Sequence, residues 1–203
     1  MSPYIGFLGR TDPKSVMILS SKTKQLLFDL KISSGRLQDA AFSGNYVYTV
    51  DTSGAIQQFD LRTRTSVITL ADSGSYNTTC VSVSSTTKYL STGSYSGIVN
   101  VYDLHQRDTL QENQKPLKSI NNLTTAINLL EFNHNDEILS IASKWKKNAL
   151  RMIHLESLTV FQNFPSFKNN VKYPFSCAFS HNSEFFTVGN DEGHNYLFSL
   201  KHF

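Results

Sequence analysis

The residues able to do chemistry in this chain are scattered. Six histidines (His105, His134, His154, His181, His194 and His202) fall in different segments, and Cys80 and Cys177 stand apart with no C-x-x-C or Cys/His spacing. Neither a zinc site nor a disulfide framework is indicated, and both cysteines read as buried, reduced thiols, since free Cys behaves as a small core residue. The nearest approach to a nucleophile elbow is "GSYSG", Gly93 to Gly97, where Tyr95 occupies the position that needs serine. No phosphate-cradling glycine loop, H-E-x-x-H or EF-hand loop is present. The acidic pair Asp191-Glu192 sits in a turn-like segment where solvation accounts for it. The expectation is a protein that is not an enzyme, with no cofactor, no bound metal and no small-molecule substrate.

What remains is positive charge and aromatic surface. The string "SKWKKN" sets Lys144, Lys146 and Lys147 around the single tryptophan, Trp145, and Lys168 and Lys172 follow in the next polar stretch. An aromatic ring among lysines suits an RNA backbone with a stacked base, or an acidic protein segment. The plainer alternative is that turn lysines are merely solvated and Trp145 packs on a neighbouring element. A second basic set, Lys22, Lys24, Arg62, Arg64 and Arg107, recurs along the first half of the chain. A net charge of +3 over 203 residues permits an anionic partner without demanding one.

The elements that must hold these side chains follow from an internal repeat. Alignment on Tyr102-Asp103 brings five segments into register: "VMILSSKTKQLLF" from Val16, "IQQFDLRTRTSVI" from Ile56, "VNVYDLHQRDTL" from Val99, "LRMIHLESLTVF" from Leu150 and "NYLFSLKHF" from Asn195. The Asp-equivalent positions are Ser20, Asp60, Asp103, His154 and Ser199, spaced 40, 43, 51 and 45 residues apart, the period of a WD-type propeller blade. Six residues earlier stand Gly54, Gly97, Asn148 and Gly193, residue types that tolerate the left-handed backbone of a tight turn. His154, replacing the Asp, is expected to make a structural hydrogen bond near the blade edge.

Upstream of each turn lie two more strand-like runs. "AAFS", "VSVS", "LEFN" and "CAFS" read as first strands, and "YVYTV", "KYLSTG", "EILSIAS" and "EFFTVG" as second strands. Period-two alternation with β-branched and aromatic residues argues against helices. Even "NNLTTAINLLEF", whose leucines could pass for a short helix, is assigned to a strand by its place in the repeat. The strands group as three, then three sets of four, then three.

The predicted fold is therefore all-β: a WD-repeat β-propeller, incomplete in this chain, with about four to five blades of an expected seven. Residues 1–36 are read as a partial blade, 37–71, 78–120 and 126–165 as whole blades, and 174–203 as a last blade lacking its outer strand. A fragment exposes edge strands and apolar blade faces, so sequence before Met1, or another chain, is expected to complete the ring. In a propeller the c-to-d turns share one face with the a-to-b turns, and the b-to-c and d-to-a loops share the other. Lys22, Lys24, Arg62, Arg64 and Arg107 then form an arc on one face, and the Trp145 cluster lies on the opposite one. No run is long and apolar enough for a membrane helix, and "MSPYIGFLGR" lacks the features of a secretory signal. A soluble, intracellular protein is expected, in which the sequons at Asn77 and Asn122 carry no meaning.

These residues also carry a family likeness. The run "NQKPLKSINNLTTAINLLEFNHNDEILSIASKWKKNALRMIHLESLTVFQNFP", residues 113–165, closely resembles the C-terminal WD-repeat domain of the U-three-protein-eighteen family. So do "GSYSGIVNVYD" at 93–103, "LLFDLKISSGRLQDAAFS" at 26–43 and the closing "VGNDEGHNYLFSLKHF". The resemblance implies a non-enzymatic, nucleolar scaffold of the small-subunit processome. In that reading it works in the UTP-B subcomplex with other WD-repeat subunits, on U-three snoRNA and pre-rRNA. The family's N-terminal extension is said to recruit the exosome helicase through an acidic-aromatic motif. "LFDL" at 27–30 is superficially similar but falls in a strand, and that role is not transferred. Two other classes stay in view: a generic WD-repeat adaptor such as a ubiquitin-ligase substrate receptor, and an RNA-binding protein acting through the Lys/Trp face. Salt dependence separates them, because direct RNA contact weakens steeply as salt rises.

Overall fold

The computed structural model describes residues 4–8, 13–104, 110–166 and 170–200. The alternating segments form antiparallel strands, grouped in five sheets in chain order. The first sheet holds β1 (Tyr4–Leu8), β2 (Ser15–Ser20) and β3 (Leu26–Lys31). The second holds β4 (Leu37–Ser43), β5 (Tyr46–Asp51), β6 (Ala55–Asp60) and β7 (Thr65–Ala71). The third holds β8 (Thr78–Val83), β9 (Tyr89–Ser94), β10 (Val99–Asp103) and β11 (Lys118–Ile120). The fourth holds β12 (Leu129–Phe132), β13 (Ile138–Ala142), β14 (Leu150–His154) and β15 (Thr159–Val160), and the fifth β16 (Pro174–Phe179), β17 (Phe185–Asn190) and β18 (Asn195–Ser199). The leucines of "NNLTTAINLLEF" lie in strand β12 and the coil before it, with no helix.

Within each sheet every strand pairs with the next along the chain. Successive sheets meet through their leading strands, β4 against β8, β8 against β12 and β12 against β16. Strand β1 instead approaches β4 as β5 approaches β8, so the first sheet starts on a second strand.

The apolar core lies between the sheets. Val16, Ile18 and Leu30 pack on Val47 and Phe59, while Tyr48, Val50 and Ile56 pack on Leu90 and Tyr102. The neighbours Val47 and Tyr48 therefore serve opposite interfaces, as the two-residue period of a strand requires. Because both faces are covered, "YVYTV" is apolar almost without interruption. Val99, Val101 and Ile120 meet Leu139, Ile141 and Ile153 in the third interface, and Leu150 and Met152 meet Phe186 and Val188 in the fourth. Each fully buried side chain of this size contributes about 1.5–3 kcal/mol.

Polar ties cross the same interfaces. Asp39 Oδ2 accepts the Val81 N–H at 3.0 Å, the Asp136 carboxylate accepts the N–H groups of Ser85 and Thr86 at 3.1 and 3.2 Å, and Ser183 Oγ accepts the His134 N–H at 3.1 Å. Gly54, Gly97, Asn148 and Gly193 all have left-handed backbone, with φ of 82°, 90°, 56° and 78°. At Gly97 the requirement is doubled, because a Cβ would lie 2.5 Å from the Leu123 carbonyl oxygen. The Asp-equivalents close the next turn: Asp60 Oδ1 accepts the Arg62 N–H at 2.8 Å and His154 Nδ1 lies 2.8 Å from Ser157 Oγ.

Candidate functional site

The turn Lys144–Asn148 joins β13 to β14 and is stapled to the segment entering β16. The Asn148 N–H donates to the Lys172 carbonyl at 2.7 Å, and Asn148 Oδ1 accepts the Lys172 N–H at 3.1 Å. This staple brings Lys172 to Lys144, Trp145, Lys146 and Lys147 across a long sequence gap. Trp145 is 63% exposed, so it does not pack into a neighbouring blade. Lys144 Nζ sits 5.4 Å from the Trp145 ring centroid and 5.8 Å from that of Phe175, which is 53% exposed. Lys147 Nζ lies 6.0 Å from the Tyr173 centroid, and Lys146 Nζ donates to Thr124 Oγ1 at 3.3 Å. The Lys144 and Lys147 ammonium groups are thus held over ring faces, an arrangement worth about 0.5–1 kcal/mol each at an exposed site.

Lys172 differs from the other three, because its ammonium is paired with Glu192. That contact holds the Glu192 carboxyl below its ordinary range and raises the Lys172 ammonium above its own. Glu192 Oε2 is also 3.6 Å from His194 Nδ1. Lys168 lies outside the described residues. Three contributors escaped the reading of spacing: Tyr173, Phe175 and Glu192. "KYPF" at 172–175 carried a usable signal, aromatic residues directly after a candidate lysine. On the same side of the sheets, Tyr95 is exposed in the β9–β10 turn and Tyr76 in the loop before β8, joined by a Tyr95 N–H to Asn77 carbonyl bond of 3.0 Å.

In the second basic set the two arginines described are engaged and the two lysines are not. Arg62 Nη2 lies 2.8 Å from Asp60 Oδ2, and this guanidinium holds the Asp60 carboxyl below its ordinary value. The Arg64 guanidinium stands 4.8 Å above the Phe28 ring of the preceding blade. Lys22 and Lys24 are exposed, in the β2–β3 turn. Arg107 lies outside the described residues.

Among the described residues no group of three His, Cys, Asp or Glu could hold a metal ion. Cys80 is buried, and burial pushes its thiol far above the ordinary range. Cys177 is half-buried, and burial, then the charge of Glu131, push its thiol up to about 12.

Blades of antiparallel strands meeting through their leading strands, with turns closed by glycine and Asp-equivalents, define an all-β propeller of the WD type, incomplete in this chain. A chain in the crystal structure of the mitotic checkpoint complex has the same fold, with a TM-score of 0.76 at 13% identity over 98% of this chain and 59% of that one. No family model matches the sequence. Whole-sequence relatives do. The human U3 small nucleolar RNA-associated protein 18 homolog is 38% identical over 190 residues, 92% of this chain and 34% of the human protein. The Arabidopsis thaliana homolog is 34% identical over 204 residues, 100% of this chain and 36% of that protein. The Saccharomyces cerevisiae protein is 36% identical over 134 residues, 64% and 22% of the respective lengths. The chain belongs to the U3 small nucleolar RNA-associated protein 18 family and spans about a third of the length of the human and plant relatives.

Proposed function

We propose that this propeller is part of a non-enzymatic scaffold in small-subunit ribosome biogenesis and pre-rRNA processing. It works in the nucleolus, within the small-subunit processome and its UTP-B subcomplex, beside other WD-repeat subunits. The observation that carries this reading is the shared name of relatives from human to yeast, each called U3 small nucleolar RNA-associated. A propeller suits the task because hydrogen bonds such as Asp39 to Val81 and Asp136 to Ser85 hold loops of different blades in fixed relation. U3 snoRNA or pre-rRNA is met by Lys144, Trp145, Lys146 and Lys147, with Lys172 beside them. Lysines supply phosphate contact there, and exposed rings supply stacking platforms. The relatives' names lend no support to a ubiquitin-ligase receptor.

The test is affinity purification of the tagged full-length protein, with and without nuclease, followed by mass spectrometry. Recovery of other WD-repeat processome subunits after nuclease is the expected result. Recovery of a ligase or signalling complex in their place would overturn the assignment.

A further inference from the structure

The outermost strand of a blade presents unpaired N–H and C=O groups, which proteins blunt by keeping such strands short, charged or interrupted by proline. Five sheets are described, and the last ends on β18, a third strand; of the four strands that occupy the fourth, outer position, three are blunted. Strand β3 carries Asp29 and Lys31, β11 has 3 residues, includes Lys118 and follows Pro116, and β15 has 2 residues. Strand β7 is different: its 7 residues, "TSVITLA", include no charge and no proline. Thr65, Val67, Ile68 and Thr69 are β-branched, and Val67 is 48% exposed. Among the described residues β7 pairs only with β6, and no other backbone group bonds to it.

A groove of about 440 Å³ runs beside this edge, between Ser66–Ala71 on one side and Glu112 and Asn113 on the other. The far wall is anchored. Leu110, just before it, is buried in the cluster of Ile56, Leu70 and Tyr102, and its N–H donates to Gln58 Oε1 at 2.9 Å. Glu112 is exposed, and no ion pair reaches it among the described residues.

We propose that the outer edge of β7 docks an extended peptide segment of a protein partner, added as a fifth strand, with a basic side chain facing Glu112. Only another polypeptide backbone can complete the ladder that β7 leaves open. The acidic wall disfavours RNA, whose phosphates it repels. Pairing with a second copy would bring a second Glu112 wall to the same interface, a like-charge arrangement. The site is independent of the Lys/Trp surface and of the ribosome-assembly reading.

The probe is a labelled peptide alternating Lys with Val, read by fluorescence anisotropy against the full-length protein. Two companion peptides carry Glu for Lys, or N-methyl groups on alternate amides. Saturable binding is expected, weakened about tenfold or more by N-methylation, by the Glu peptide, and by Val67→Lys or Glu112→Lys. Absence of saturable binding, or binding indifferent to N-methylation, would overturn the proposal. So would binding of labelled single-stranded RNA that Glu112→Lys strengthens and Val67→Glu weakens, or self-association without peptide that Val67→Lys abolishes. Should Val67→Lys fail to fold, the N-methylated peptide on the unaltered protein decides.

Discussion

The Tyr102 hydroxyl donates to Asp72 Oδ1 at 2.7 Å, tying the third strand of one blade to the loop that leaves the blade before it. The same carboxylate accepts Asn100 Nδ2 at 2.8 Å and the hydroxyls of Thr78 and Thr92 at 3.1 and 3.0 Å. Tyr102 in turn accepts the Ser73 N–H at 3.1 Å. Burial first, and then the charge of Asp72, hold the Tyr102 hydroxyl protonated well beyond its ordinary range. A buried carboxylate met by four donors is a satisfied network, so deleting one member leaves the others short of partners.

Tyr102→Phe keeps the ring and removes one donor to Asp72 and the acceptor for Ser73. The expected cost is about 1–3 kcal/mol, a fall in melting temperature of roughly 2–12 °C for a chain of this size. Thermal and urea denaturation of the variant beside the parent measure it. An unchanged melting temperature would mean that the hydroxyl is dispensable to the interface.

Two glycines with positive φ should respond differently to alanine. At Gly97, φ 90°, the new Cβ meets the Leu123 carbonyl oxygen at 2.5 Å, whereas at Gly44, φ 55°, nothing lies within 4 Å. Gly44→Ala should cost only the left-handed strain, about 1–2 kcal/mol, and Gly97→Ala distinctly more. Equal losses in urea midpoint for the two variants would contradict the close approach.

The Lys/Trp surface predicts a particular salt response. Changing Lys144, Lys146 and Lys147 together to Ala should weaken single-stranded RNA binding and flatten its log–log salt slope by up to about 2, at roughly 0.7 per phosphate contact. Trp145→Ala should weaken binding by about 1–3 kcal/mol with the slope unchanged, because stacking releases no counterion. Glu192→Gln should strengthen binding, since it frees the Lys172 ammonium from its ion pair. Filter binding across a salt series reads all three, and indifference to the triple change would exclude direct contact through this face.

Burial raises the Glu131 carboxyl above its ordinary value, so the folded state holds that proton more tightly than the unfolded chain. Stability from this group is therefore present below the ordinary glutamate range and declines as pH rises through the folded value. Glu131→Gln should stabilise the protein at neutral pH relative to the parent, and the gap should close towards acid pH. It should also make Cys177 easier to ionise, because the charge of Glu131 contributes to the raised thiol. Denaturation against pH and the pH profile of Cys177 alkylation provide the two readouts.

Much of the architecture is legible in the sequence, because it rests on local chemistry. Gly54, Gly97, Asn148 and Gly193 each need left-handed backbone, a requirement that residue type reveals directly. "YVYTV" serves two interfaces and so shows no polar face. The surfaces were harder to read. That Lys172 joins the Lys144–Lys147 turn, and that Glu192 then neutralises it, depends on contacts between distant segments. Arg62 and Arg64 looked equivalent as turn cations, yet one meets Asp60 and the other covers Phe28 of a different blade.

The repeat by itself determined the blade, its four-strand rhythm and the turns that close it, since alternation and left-handed turn residues act over a few neighbouring positions. Only the tertiary structure decided which charges remain free and which edge remains open. The ion pair of Lys172 with Glu192 joins two ends of one blade, while Lys144 beside Phe175 and the Glu112 wall beside β7 join different blades, and all three bring together residues far apart in sequence. Stacking acts only in contact and charge–charge interactions are screened over about 8 Å at physiological salt, so the partner surfaces come into being only when the folded chain brings these residues together.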